Sequence, residues 1–195
     1  MSAPPASLCG LVLAAGAGTR FGRPKALARE PDGTPWVLLA VRMLRDAGCD
    51  LVLVALGASA DEARLLVPEN AEVIVVRDWS GGLSATLRAG IDAASATGAA
   101  GLLVTPVDTP AAPSAAATRV CRAAVAAASV EGALARAVYS GSPGHPVLIG
   151  REHWAALRDG LSGDSGAGPY LASHAALEVE CGDLWSGADV DADVR

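Results

Sequence analysis

Apolar positions along the chain fall into short unbroken runs separated by longer stretches of helical period. Leu8–Ala14 and Leu51–Leu56 are nearly continuous Val, Leu and Ala, and shorter runs cover 72–76 and 101–105. Runs of this length bounded by turn residues predict strands buried on both faces. Between the first two runs, Pro35 opens a different pattern. Trp36, Leu39, Ala40, Met43 and Ala47 recur at helical spacing, Arg42, Arg45 and Asp46 lie off that face, and Gly48 closes the segment. Similar patterns predict helices near 60–66, 84–96 and 114–128. Strand–helix alternation implies right-handed crossovers and a mostly parallel sheet covered by helices on both faces.

Beyond residue 130 the pattern loosens. It predicts strands at Leu134–Tyr139 and 145–149 around the turn-rich Ser140-Gly-Ser-Pro-Gly144, helices at 151–159 and 165–173, and a strand at 176–181. Neither an internal repeat nor a long linker interrupts the chain. The expectation is one α/β domain spanning 1–195, with a nucleotide-binding half (1–110) and an acceptor-binding half (111–195).

Composition narrows the partners. The chain has 195 residues, 51% of them apolar, and a net charge of −6. The acidic balance argues against nucleic acid and anionic membranes as partners. The four cysteines, Cys9, Cys49, Cys121 and Cys181, form neither a CxxC pair nor a Cys/His cluster. They read as reduced, buried thiols of a cytoplasmic protein. Residues 1–7 lack the basic and apolar regions of a signal peptide, and no apolar run reaches membrane-spanning length. Charge is uneven: the first 45 residues are rich in Arg, while the tail carries Glu178, Glu180, Asp183, Asp189, Asp191 and Asp193.

The chemistry concentrates in Leu13-Ala-Ala-Gly-Ala-Gly-Thr-Arg-Phe-Gly-Arg-Pro-Lys25, directly after the first strand. Lys25 is the only lysine of the chain; every other basic side chain is Arg. Glycines let backbone N–H groups approach phosphate oxygens, and Arg20 and Lys25 can neutralise them. Two familiar phosphate loops fit poorly. A dinucleotide fingerprint needs GxGxxG, but after Gly16 and Gly18 the third glycine falls one place late, at Gly22, and Ala55-Leu-Gly57 offers no acidic residue for a ribose. A Walker A loop needs lysine directly after glycine and then Ser or Thr. Here Lys25 follows Pro24 and precedes Ala26.

The motif Leu-Ala-Ala-Gly-x-Gly-x-Arg-Phe-Gly-x-x-Lys resembles the signature of the MobA-like NTP transferases, most closely the molybdenum cofactor cytidylyltransferase branch. Further segments carry the resemblance along nearly the whole chain. Asp78-Trp-Ser-Gly-Gly-Leu-Ser84 is similar to the family's base- and ribose-contacting segment, and Ser84 also suits a helix N-cap. Val104-Thr-Pro-Val-Asp108 resembles its Gly-Asp-x-Pro metal segment, with Pro106 and Val107 where the glycine is usual. Gly144-His-Pro-Val-Leu148 and Leu161-Ser-Gly-Asp-Ser-Gly-Ala167 match acceptor-side segments, although Gly168 stands where the family has Arg. Ala188-Asp-Val-Asp-Ala-Asp193 resembles its Asp-Ile-Asp-Thr-Pro-Glu-Asp element.

The resemblance implies a Rossmann-like, GT-A-like α/β/α nucleotidyltransferase fold with a mostly parallel mixed sheet. It also implies Mg²⁺-dependent transfer of a nucleotidyl group, CMP from CTP first, to a small phosphorylated acceptor such as molybdopterin. Leu13, Ala14, Ala15, Gly16, Ala17, Gly18, Thr19, Arg20, Lys25, Gly82 and Ser84 would bind the nucleotide, with Arg20, Lys25 and Asp108 catalytic. Asp108 and Asp191 would hold Mg²⁺, with Asp189 the alternative second carboxylate, and His145 would meet the acceptor. Ala15 presses on the base pocket and favours a pyrimidine. Some proteins resembling this branch are called nicotine blue oxidoreductases, so NAD(P)H-dependent oxidoreduction is one alternative. A noncatalytic nucleotide-binding partner of a molybdoenzyme is another.

Overall fold

The computed structural model describes residues 7–191; Asp193 and the residues beyond it lie outside that range. Seven strands form one sheet: β1 (Leu8–Ala14), β2 (Leu51–Leu56), β3 (Glu72–Val75), β4 (Gly101–Pro106), β5 (Leu134–Tyr139), β6 (Ser142–Gly150) and β7 (Leu177–Glu180). Their spatial order is β3-β2-β1-β4-β6-β5-β7. β1 pairs parallel with both β2 and β4, β2 with β3 and β5 with β7, while β6 runs antiparallel to its neighbours β4 and β5. The sheet is therefore mixed and mostly parallel.

Six helices cover it: α1 (Trp36–Asp46), α2 (Ala60–Arg64), α3 (Leu83–Ser95), α4 (Ser114–Ala127), α5 (Trp154–Gly160) and α6 (Gly168–Ser173). Alternate strand residues face opposite layers. Val12, Val54 and Leu103 pack with Val37 and Leu44 of α1, Ala63 of α2 and Val120 of α4. Leu11, Leu53 and Leu102 pack on the other face with Ile91 of α3, Leu157 of α5 and Leu171 of α6. Each fully buried Leu, Val or Ile contributes roughly 1.5–3 kcal/mol of transfer free energy.

Two element boundaries depart from the sequence reading. β6 begins at Ser142, so its polar first residues pair with β5 across a turn formed by Ser140 and Gly141 alone. Both have positive φ, 53° and 77°, as a two-residue hairpin of this twist requires. The last helix starts at Gly168, three residues later than its pattern suggests, with Pro169 in its first turn.

The topology fixes where a ligand can enter. From β1 the chain winds outward to β2 and β3, then returns to place β4 on the other side of β1. Crossovers on the two sides diverge there, leaving a crevice at the carboxyl ends of β1 and β4. The glycine-rich loop leaves β1 at this point, and Asp108 follows the end of β4. Because β6 is antiparallel, its first residues, through His145, arrive at the same edge.

Candidate active site

The loop after β1 is tightly built. Gly18 lies at φ 60°, and the Gly22 N–H donates to the Gly18 carbonyl at 2.8 Å. A Cβ on Gly18 would stand 2.0 Å from the Arg23 carbonyl oxygen, so only glycine fits this turn. Gly16 differs: a Cβ there would meet nothing within 4 Å. The fold does not require that glycine, yet it lines the crevice. After the turn, Pro24 leads into a single 3₁₀ turn, Lys25–Leu27. The buried Phe21 ring packs on Trp36 at 5.4 Å and lies 5.8 Å from the Lys25 Nζ, which guides the ammonium back over the loop.

That ammonium joins the two ends of the chain. Lys25 Nζ donates to Asp108 Oδ2 at 2.8 Å and to Asp191 Oδ1 at 3.2 Å. Burial alone would pull the Lys25 pKa down, but hydrogen bonding and charge from Asp108 and then Asp191 carry it above its ordinary value. The turn bearing Asp108 is pinned three ways. The Val107 N–H donates to the Leu13 carbonyl at 3.0 Å, Thr109 Oγ1 to the Pro106 carbonyl at 3.1 Å, and the Val190 N–H to the Asp108 carbonyl at 2.9 Å.

The last of these brings in the segment after β7. Tyr139 at the end of β5 anchors it, its ring edge-on to Trp185 at 5.3 Å and its hydroxyl donating to the His145 carbonyl at 2.7 Å. His145 is half-buried, and desolvation lowers its pKa against the opposing charges of Asp108 and Asp189.

Three chambers meet around Leu13 and Leu83. The central one, about 510 Å³, is walled by Gly16, Gly18, Lys25, Asp108, His145 and Asp189 among others. A second, about 300 Å³, lies between Ala15, Gly16 and Ala17 on one side and Trp79, Gly82, Thr86 and Asp164 on the other. The third, about 280 Å³, extends under α6 and is almost wholly apolar. Among the described residues, no three His, Cys, Asp or Glu side chains stand close enough to cage a metal. One or two carboxylates that leave the remaining positions to water and phosphate suit Mg²⁺, which seldom uses an all-protein cage. Asp108 with Asp191 or Asp189 fits that pattern.

The model of the MobA-like NTP transferase domain matches residues 10–178. The chain belongs to this family. It is 37% identical to a nicotine blue oxidoreductase of Paenarthrobacter nicotinovorans over 194 residues, 93% of this chain and 91% of that protein. It is 32% identical over 108 residues, 55% of this chain and 51% of the relative, to a probable molybdenum cofactor guanylyltransferase of Rhodopirellula baltica. Among solved structures it is similar to Rv0371c of Mycobacterium tuberculosis, at TM-score 0.78 and 26% identity over 97% of this chain and 95% of that one. A structure of Rv0371c has also been solved with manganese.

Within this NTP transferase, the sequence-predicted residues separate into three groups. Leu13, Ala14, Gly16, Gly18, Lys25, Asp108 and His145 share the central chamber, with Ala15, Ala17 and Gly82 on the adjoining one. Arg20 and Thr19, within the reversal between Gly18 and Gly22, are exposed and do not line the two chambers. Ser84 is buried and does not cap α3: Gly82 occupies the cap position, and the Ser84 N–H donates to the Gly163 carbonyl at 3.1 Å. Leu83 and Thr86, three residues apart on the helix, face the chamber instead.

The 161–167 loop, read from sequence as acceptor-side, divides between two chambers. Asp164 stands beside Gly82, where a Cβ would meet Asp164 Oδ1 at 2.4 Å, while Gly166 and Ala167 line the apolar chamber. Gly82 at φ 95° gives the bend and the clearance for that contact. Asp164 and Leu83 lie inside segments that carry the resemblance without being singled out there, and Tyr139 lies in none of them.

Proposed function

We propose that this NTP transferase moves a nucleotidyl group, CMP from CTP in the leading case, onto a small phosphorylated acceptor. The observation that carries this reading is the meeting of Lys25 with Asp108 and Asp191 in a chamber walled by Gly16 and Gly18. A cation, paired acids and a glycine loop at the switch point of an α/β sheet suit a triphosphate with its metal.

In the reaction, an acceptor oxygen attacks the α-phosphorus in line. The new P–O bond forms as the bond to the β-phosphate bridging oxygen breaks, and pyrophosphate leaves with that electron pair. Gly16 and Gly18 leave the backbone open to phosphate oxygens. Lys25 lies between the loop and the acids, so its ammonium can exchange a carboxylate partner for a phosphate and offset charge on the leaving group. Asp108 with Asp191 would hold Mg²⁺, which supplies charge neutralisation across the phosphates. His145, kept neutral by burial, borders the acceptor's approach.

Base choice is supported from the second chamber. Ala15 narrows it toward a pyrimidine. The Asp164 carboxylate only accepts hydrogen bonds, which favours the amino edge of cytosine over the carbonyl edge of uracil. Thermal shift across the four NTPs with and without Mg²⁺, followed by pyrophosphate release with candidate acceptors, tests the reading. CTP-dependent stabilisation and pyrophosphate release support it; no NTP binding refutes it.

A second reading has one observation in its favour, the 37% identity to a protein named nicotine blue oxidoreductase. It requires NAD(P)H oxidation with a dye-like substrate, and that assay separates the two.

A further inference from the structure

The apolar chamber is lined partly by the segments read from sequence as acceptor-side, yet the chemistry of what it would hold is unassigned so far. It opens from the central chamber across a shared wall of Leu13, Leu83, Pro143, Gly144 and His145. Its interior is formed by Leu87, Val104, Val147, Ile149 and Leu171, drawn from α3, β4, β6 and α6. Its roof is small. Gly166 lets the loop approach Leu83, where a Cβ would stand 2.9 Å from Cδ2, and a Cβ on Gly168 would meet nothing within 4 Å. One strong donor stands on its wall, Arg136. Its guanidinium NH₂ pairs with Glu178, while its Nε–H is buried without a hydrogen-bond partner. Leu83, at the junction, is 40% exposed and lines all three chambers.

We propose that this chamber receives the body of the acceptor and that the body is a hydrocarbon-like ring system of one or two rings, its phosphate directed past His145 into the central chamber. The inference rests on the nucleotidyl-transfer reading and narrows it. Continuity with the central chamber makes an acceptor, rather than an unrelated ligand, the occupant. A volume of about 280 Å³ sets the ring count. The lining sets the chemistry: apart from Arg136 and His145 its side chains are apolar and leave most donors and acceptors along a pterin edge without a side-chain partner. Arg136 Nε–H offers one hydrogen bond and no net charge, since Glu178 balances its guanidinium. It suits a single carbonyl, ether or hydroxyl oxygen. Among the described residues that line the chamber, Arg136 is the one Lys or Arg side chain.

Calorimetric titration of the full-length protein with three phosphate monoesters tests this without nucleotide: 1-naphthyl phosphate, glycerol 3-phosphate and neopterin phosphate. Naphthyl phosphate should bind at least tenfold more tightly than either of the others. Gly168→Trp places an indole in the chamber; it should weaken naphthyl phosphate at least tenfold and leave CTP affinity as in wild type, with Gly168→Ala as a silent control. Retained CTP affinity also reports an intact fold. Neopterin or glycerol phosphate binding as well as naphthyl phosphate overturns the proposal, as does naphthyl phosphate affinity unmoved by Gly168→Trp. Failure of CTP to bind wild type, with naphthyl phosphate bound and sensitive to Gly168→Trp, instead refutes nucleotidyl transfer and leaves the chamber's chemistry standing.

Discussion

The loop after β1 and the chamber under α6 open into the same crevice but are made in opposite ways. The loop is thirteen consecutive residues, 13–25, whose function lies in backbone and one ammonium. The chamber draws apolar side chains from four elements spread between Leu83 and Leu171. The first can be read as a string; the second exists only once the sheet has assembled. On the proposed reading, recognition of phosphate is written into a local turn, whereas recognition of what receives the nucleotide is written into packing.

The sharpest way to break this contrast is Lys25→Ala. It removes the ammonium and leaves Asp108 and Asp191 facing the phosphates unpaired. NTP affinity measured by calorimetry should fall about 100-fold, ~3 kcal/mol, while affinity for 1-naphthyl phosphate changes little. Unchanged NTP affinity would show that the loop is merely a turn.

Next in size are two glycines of the same loop. Gly18→Ala forces a Cβ against the Arg23 carbonyl at positive φ and should cost about 1–3 kcal/mol of stability in a thermal melt. Gly16→Ala meets no protein atom, so its melting temperature should match wild type while NTP affinity drops about tenfold. Equal effects of the two on stability would dissolve the distinction between a glycine required by the fold and one required by ligand.

Smaller again is the division between the tail carboxylates. Asp191 touches Lys25 and Asp189 lines the central chamber. Mn²⁺ titration followed by electron paramagnetic resonance, with CTP present, should show a larger loss for Asp191→Asn than for Asp189→Asn. The reverse order would exchange their roles.

The smallest effect concerns pH. His145 binds its proton less readily in the folded protein than at its ordinary value of 6.5. The unfolded chain therefore takes up more protons as pH falls below about 6.5, and stability declines there. His145→Gln should flatten the decline between pH 7 and 5 in denaturant titrations. An unaltered slope would show that this histidine does not titrate against folding.

Legibility followed the physics of each element. The buried runs at β1 and β2 declared their full extent, because nearly unbroken apolar sequence is what a strand covered on both faces demands. The start of β6 was hidden because Ser142–Gly144 are held by hairpin pairing and carry no apolar signal. Within the site, Lys25 stood out as the only lysine, and its convergence with Asp108 followed from topology. Arg20 lies exposed outside the chamber linings, because adjacency in sequence does not fix which residues of a tight reversal wall a crevice. Ser84 misled because a cap depends on where the helix begins, one residue earlier. Arg136 was silent, and Leu83 and Asp164, though inside motif segments, take their places in the chambers from their neighbours in space.

The stretch from Gly182 to Asp191 adds no strand to the sheet, yet it delivers Trp185 to Tyr139, the Val190 N–H to the Asp108 carbonyl and a second carboxylate to Lys25. It works as a strap laid over a finished body. A cut behind Gly182 would spare all seven strands and remove one jaw of the acid pair. Assembly of the sheet and the pairing of Lys25 with Asp191 are therefore severable by scissors alone.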